Sequence, residues 1–62
     1  MIDISKIYRY KGIHPHLRGK QGNITEVIDE RFVIFSTLLY DEETGNTLVP
    51  FRVLFTSLEI VL

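Results

Sequence analysis

The chain has 62 residues, a formal net charge of −1 and no cysteine. A chain of this length holds one domain, whose core buries only about 60% of the surface that the unfolded chain exposes. We therefore expect a single domain over residues 1–62, held together by apolar packing without disulfide bonds or thiolate metal sites.

The N-terminal residues and the length of the uncharged runs indicate where in the cell the protein is expected to be. No uncharged run is long enough for a transmembrane helix, and Asp3 lies where a signal peptide would carry basic and then apolar residues. We expect a soluble, cytoplasmic protein that does not contact membranes.

The charges are unevenly distributed along the chain. Residues 1–25 carry five basic side chains against Asp3 alone, whereas residues 26–62 carry two basic side chains against seven acidic ones. The two halves therefore have net charges of +4 and −5. A surface polarised in this way can steer a charged partner.

The first predicted strand covers residues 6–11, which are rich in β-forming side chains. A long first loop follows over residues 12–19, because glycines bracket the segment and Pro15 lacks a backbone donor. Ile13 and Leu17 are the side chains available to pack this loop onto the rest of the domain.

The second predicted strand covers residues 19–27. Its apolar residues, Ile24 and Val27, are three positions apart, which breaks the alternation of a regular strand. If both side chains point inward, the strand needs a bulge near Thr25 or Glu26.

The third predicted strand, over residues 31–40, follows a polar turn at residues 29–30 and is apolar on both faces. One face carries Phe32, Ile34, Leu38 and Tyr40, and the other carries Val33, Phe35 and Leu39. A half-buried strand alternates apolar with polar residues, so we expect something to cover the second face.

The rest of the chain predicts a hairpin and a short last strand. The loop covers residues 41–46, with Gly45 in the left-handed conformation, and the fourth strand covers residues 47–55. Pro50 cannot donate to a ladder, which places it at an edge or an irregularity. A turn at residues 56–57 then leads into the fifth strand.

The fifth predicted strand covers residues 58–62. The resulting fold class is all-β: a five-stranded, SH3-like small barrel with a long first loop and a short 3-10 turn before the last strand. The Gly-Lys-Gln-Gly-Asn-Ile-Thr-Glu-Val run at 19–27 and the Leu-Glu-Ile-Val run at 58–61 resemble those of SH3-like small barrels.

The glycine-plus-strand piece of this run resembles the KOW motif of ribosomal and transcription-factor proteins. The whole layout is also similar to the ferredoxin-docking subunit of photosystem I and to the variable chain of ferredoxin–thioredoxin reductase. These resemblances imply an architecture that many unrelated binding proteins share.

No motif in the sequence indicates catalysis or a cofactor. His14 and His16 are two imidazoles where a stable zinc site needs three or four ligands, and the acidic run at 41–43 lacks the EF-hand spacing. The carboxylates lie in or beside turns, near the N-terminus or on a strand's outer face, and no serine lies in a nucleophile elbow. We expect a protein that is not an enzyme and binds no metal or cofactor.

Two binding hypotheses follow. The first is docking on a protein partner, or self-association, through the apolar surface of strands three and four, because large exposed apolar patches mark interfaces. Its candidate residues are Phe32, Val33, Phe35, Leu39, Phe51 and Leu54. The competing interpretation is that the core or a covering loop buries them all.

The second hypothesis is KOW-like binding of RNA or single-stranded nucleic acid. Tyrosines would stack on bases while basic side chains contact phosphates. The candidate residues, which could equally contact a protein partner, are Tyr8, Arg9, Tyr10, Lys11, His14, His16, Arg18 and Lys20. The overall acidity of the chain, with a pI of about 6.0, stands against this hypothesis.

Overall fold

The computed structural model describes residues 2–62 of the chain. Its elements are β1 Ile7–Tyr10, β2 Gln21–Val27, β3 Phe32–Asp41, β4 Gly45–Leu54, the 3-10 turn η1 Phe55–Ser57, and β5 Leu58–Ile60. The all-β class, the five strands, the long first loop and the 3-10 turn before the last strand are thereby confirmed. Over the described range, no helix is long and apolar enough to cross a membrane.

The strands form one antiparallel sheet in the order β4-β3-β2-β1-β5. Between residues 2 and 62, no hydrogen-bonded ladder joins β4 to β5, so hydrogen bonds do not close the sheet into a barrel. β4 and β5 are therefore its two edges. Pro50 lies within β4, opposite Ser36 of β3, which confirms its predicted place in an edge strand.

One apolar cluster forms the core on the inner face of this sheet. Because alternate residues of a strand point to the same side, Val33 and Phe35 of β3 are buried together with residues of every other strand. Leu17 joins the cluster from the first loop. The complete cluster comprises Tyr8, Tyr10, Leu17, Ile24, Val33, Phe35, Val53 and Leu58.

Two polar residues interrupt the apolar run of β3 and are nevertheless buried. The Thr37 hydroxyl donates to the backbone carbonyl of Gln21 at 2.7 Å, and the Ser36 hydroxyl is hydrogen-bonded to that of Thr25 at 3.1 Å. A buried hydroxyl without a partner costs free energy, and both of these have one. These two hydrogen bonds thus help to fix the register between β2 and β3.

The predicted bulge in β2 is confirmed. The β2–β3 register shifts between Ile24 and Glu26, so that Ile24 lies opposite Phe35 and Val27 lies opposite Val33. Opposite residues share a face, so the bulge brings both apolar side chains to the inner side. Ile24 is buried, while Val27 lies at the margin of the core and is exposed.

The β3–β4 hairpin is longer than predicted. β3 runs to Asp41 and β4 begins at Gly45, so only residues 42–44 form the loop. Gly45 has φ +76°, which confirms the predicted left-handed conformation. Since β2 pairs with β3 only as far as Thr37, the far end of the hairpin extends beyond β2.

The β2–β3 turn is stabilised by an exposed carboxylate. Asp29 Oδ1 accepts the backbone N–H of Arg31 at 2.7 Å and that of Phe32 at 2.9 Å. These two hydrogen bonds lower the pKa of Asp29 from its ordinary value of 3.8, with a smaller contribution from the positive charges of Arg31 and Arg52.

Asp29→Asn is expected to destabilise the protein at neutral pH, because a neutral amide oxygen is a weaker acceptor than a carboxylate. The folded-state pKa is depressed, so the contribution is complete above the unfolded value of 3.8 and is lost as pH falls through the folded value. Urea denaturation should therefore show a wild-type advantage at pH 7 that vanishes in strong acid. An advantage independent of pH would contradict this account.

Gly22→Ala is expected to destabilise the fold by about 1–3 kcal/mol, the usual cost of overpacking. A Cβ at this position would overlap the backbone carbonyl oxygen of Ser36 on the neighbouring strand. The free energy of unfolding can be measured in urea, with Asn23→Ala as the control at the next, exposed position. Equal stabilities for the two variants would show that β3 moves aside without cost.

Candidate functional site

The first loop is fixed against the core. Leu17 is buried, and its backbone N–H and that of Arg18 both donate to the His14 carbonyl at 3.1 Å. The Gly19 N–H donates to the Tyr10 carbonyl at 3.0 Å, while Ile13 stays almost fully exposed. Of the two apolar residues considered for packing the loop, Leu17 alone performs that role.

Tyr8 and Tyr10 are core residues, with 1% and 6% of their surface exposed. The Tyr8 hydroxyl donates to the Asp3 carbonyl at 2.7 Å, and the Tyr10 hydroxyl accepts the backbone N–H of His14 at 3.3 Å. Neither ring presents a free face to a nucleotide base. The burial of both rings could have been predicted from the sequence, because alternate residues of a strand share a face and Tyr8 and Tyr10 therefore lie on the same side of β1.

Val33 and Phe35 are fully buried, with 0% exposure each. Two of the six residues predicted for apolar docking therefore belong to the core and are absent from the surface. The inward face of β3 explains this placement, since both residues lie on the side that packs against β1 and β4.

An open cleft of about 550 Å³ separates the first loop from the far end of the β3–β4 hairpin. We call it the loop–hairpin cleft. It is lined by His14, His16, Lys20, Leu39, Tyr40 and Phe51. The structure thus unites members of the apolar and basic sets that the sequence had presented as two separate candidates.

The floor of the loop–hairpin cleft is apolar, and its loop wall consists of two imidazoles and the ammonium group of Lys20. The imidazole of His14 lies 6.2 Å from the Phe51 ring and 5.7 Å from that of His16, measured between centroids. Leu39 and Phe51 are half-buried, whereas His14, His16 and Lys20 are exposed. A ligand in this cleft would meet apolar surface on one side, and imidazoles with the positive charge of Lys20 on the other.

A second apolar surface lies on the outside of the same hairpin. Leu38 of β3 and Leu48 of β4 lie directly opposite each other and are 57% and 59% exposed. We call this side of the β3–β4 hairpin, which also carries Phe32 and Leu54, the outer face. No segment within residues 2–62 buries this pair, so the predicted cover over the second face of β3 is missing there.

The outer face continues toward the β2–β3 turn. Leu54 lies opposite Phe32, and Leu54 is exposed while Phe32 is half-buried. The guanidinium carbon of Arg52 is 5.0 Å from the centroid of the Phe32 ring, and that of Arg31 is 5.7 Å away. Cations stacked on its ring leave Phe32 partly covered, so Leu38 and Leu48 are the more accessible part of this face.

The remaining basic candidates have different surroundings. Arg9 Nη1 lies 3.4 Å from Glu59 Oε1, and in the described part of the chain this is the one ion pair. Lys11 and Arg18 are exposed, and Lys11 is tied to η1 by its backbone N–H, which donates to the Ser57 carbonyl at 2.7 Å. Within residues 2–62, three cations of the first loop form no ion pair: Lys11, Arg18 and Lys20.

A further open cleft, of about 620 Å³, lies at the β2–β3 end of the molecule. Its lining consists of Ile2, Val27, Asp29, Glu30 and Phe55. Over residues 2–62, no group of three histidine, cysteine or acidic side chains is close enough together to hold a metal ion. The acidic residues of this cleft thus carry no metal-binding geometry of their own.

Comparison with known proteins gives no match, whether to family models, to curated proteins or to solved structures. The functional interpretation therefore rests on the geometry of the two surfaces.

Substitutions of buried and of exposed residues in β3 are expected to change the stability of the fold by different amounts. Phe35→Ala should lower the free energy of unfolding by about 3–5 kcal/mol, because it removes a fully buried ring, whereas Leu38→Ser should change it by less than about 0.5 kcal/mol. Thermal and urea unfolding followed by circular dichroism measure both. A large loss for Leu38→Ser would mean that Leu38 supports the fold and is not a free surface residue.

Proposed function

We propose that this protein is a non-catalytic protein-interaction module that docks on an apolar surface of a protein partner through the outer face of β3 and β4. The single observation that supports this proposal is the exposed cross-strand pair Leu38 and Leu48. Two large aliphatic side chains in register form a continuous apolar surface, and burying it on a partner is favourable by about 25 cal/mol per Å².

The position of the pair supports a docking role in a second way. Leu38 and Leu48 lie where the hairpin has passed the end of β2, so the surrounding sheet does not obstruct an approaching surface. Phe32 and Leu54 form a second apolar pair on the same face, separated from the first by two cross-strand pairs that include the charged Arg52. A partner with a flat apolar surface would contact both apolar pairs.

We also infer that the domain is an SH3-like small barrel. The order β4-β3-β2-β1-β5, the long first loop and the 3-10 turn before β5 support this assignment. The glycine run at the start of β2 carries the resemblance to KOW domains. Architecture of this kind hosts many binding functions, so the docking surface is argued from its own residues.

Nucleic-acid binding is the alternative function, but the two tyrosines predicted to stack on bases are not accessible. Tyr8 and Tyr10 are buried, so neither can stack on a base, and a single strand would contact the first loop through its exposed histidines and cations. Tyr40, which directly precedes the acidic residues 41–43, lines the same cleft as Lys20, and carboxylates at that end of the hairpin would repel phosphates. These observations favour a protein partner.

A double variant, Leu38→Asp with Leu48→Asp, is expected to abolish partner capture from the native source while leaving the fold intact. Charges at both positions would have to be desolvated on docking, which costs far more than the contact gains. Affinity capture followed by quantitative mass spectrometry compares wild type with the variant, and a purified partner then gives the change in Kd, which we expect to be tenfold or more.

The matched control is Ile13→Asp, which places the same charge on an exposed apolar residue of the first loop. Capture should survive this change, because Ile13 lies outside the docking surface. It should also survive high salt and nuclease treatment, because apolar docking depends neither on charge–charge attraction nor on nucleic acid. Equal loss in the control, or loss on nuclease treatment, would reject the outer face as the docking surface.

A further inference from the structure

We propose that the loop–hairpin cleft receives the acidic hairpin tip of a second copy of this chain, so that two copies exchange their hairpin tips reciprocally. The tip is defined as residues 41–43, Asp-Glu-Glu. This surface is distinct from the Leu38 and Leu48 pair and binds a different partner by a different physical interaction.

The first loop and the hairpin tip carry charges of opposite sign, and Lys20 is the charged residue among those that line the cleft. The loop over residues 11–20 carries Lys11, Arg18 and Lys20 and no acidic residue, whereas the tip carries three consecutive carboxylates. Within residues 2–62 none of these six groups forms an ion pair, although Tyr40, next to the tip, borders the same cleft as Lys20. The loop–hairpin cleft lies between Lys20 and the end of the hairpin that carries the tip.

A positive patch beside a negative patch is self-complementary under a two-fold axis. Rotation by half a turn about an axis between them places each loop of one copy on the tip of the other. Both contacts then form together, which closes the assembly at two copies. A single-sign surface would repel its own copy, so this arrangement selects a second copy over an arbitrary acidic protein.

The apolar floor supplies the rest of the complementarity. Leu39 and Phe51 are half-buried in the cleft, and the exposed Tyr40 ring of the incoming tip is the large side chain that accompanies its carboxylates. The tip is also stiffened before docking, because Asp41 Oδ1 accepts the backbone N–H of Glu43 at 2.8 Å. A preformed tip loses less conformational entropy on binding.

Charge reversal on the two sides tests the proposal. The loop variant carries Arg18→Glu and Lys20→Glu, and the tip variant carries Glu42→Lys and Glu43→Lys, all at exposed positions. Asp41 is left unchanged because it holds the tip. Each variant alone should bring like charges together twice per dimer, raising the dimer Kd by about tenfold or more.

An equimolar mixture of the two variants should restore the dimer. The reversed loop of one variant then meets the reversed tip of the other, and the two unreversed surfaces meet as in the wild type. Sedimentation equilibrium measures each Kd, and that of the wild type should rise with salt as the Debye length falls from about 30 Å at 0.01 M to about 3 Å at 1 M.

Lys6→Glu and Glu30→Lys are the controls, since they reverse exposed charges outside the cleft and the tip. Both should dimerise like the wild type, and circular dichroism should show all variants folded. A monomeric wild type at low salt, or a mixture that fails to recover the dimer, overturns the proposal. If Leu38→Asp with Leu48→Asp abolishes dimerisation and the charge reversals do not, the copies meet through the outer face instead.

Discussion

The packing of Phe35 against Tyr10 is the contact on which the rest of this small fold depends. Their ring centroids are 6.4 Å apart, and the contact joins the long central strand β3 to the β1–β5 side of the sheet. The Tyr10 hydroxyl then accepts the His14 N–H, so the same ring that closes the core also positions the first loop. Core packing and the geometry of the loop–hairpin cleft are therefore determined together.

The five strands, the bulge, the left-handed Gly45 and the edge position of Pro50 could all be predicted from the sequence. Each depends on local chemistry: alternation, a missing donor or a backbone conformation that only glycine adopts readily. The hairpin ends were less accurate, because Asp41 and Gly45 belong to the ladder through cross-strand pairing that local composition does not reveal.

The candidate surfaces could be predicted only in part. The sequence indicated that β3 has two apolar faces, but which face is buried depends on how the sheet curls, and this placed Val33 and Phe35 inside and left Leu38 outside. That Lys20 and Phe51 line one cleft depends on how segments about thirty residues apart in sequence are placed in space, which strand periodicity alone does not encode.

Pro50 has a consequence for how this molecule avoids aggregation. An edge strand of ten residues offers a row of free backbone groups to any other extended chain, and a proline within it interrupts the run of donors that continuous pairing needs. Growth of the sheet from one molecule into the next is thereby disfavoured along β4. Contacts with other molecules along this edge are left to side chains, whose shape and charge distinguish one partner from another.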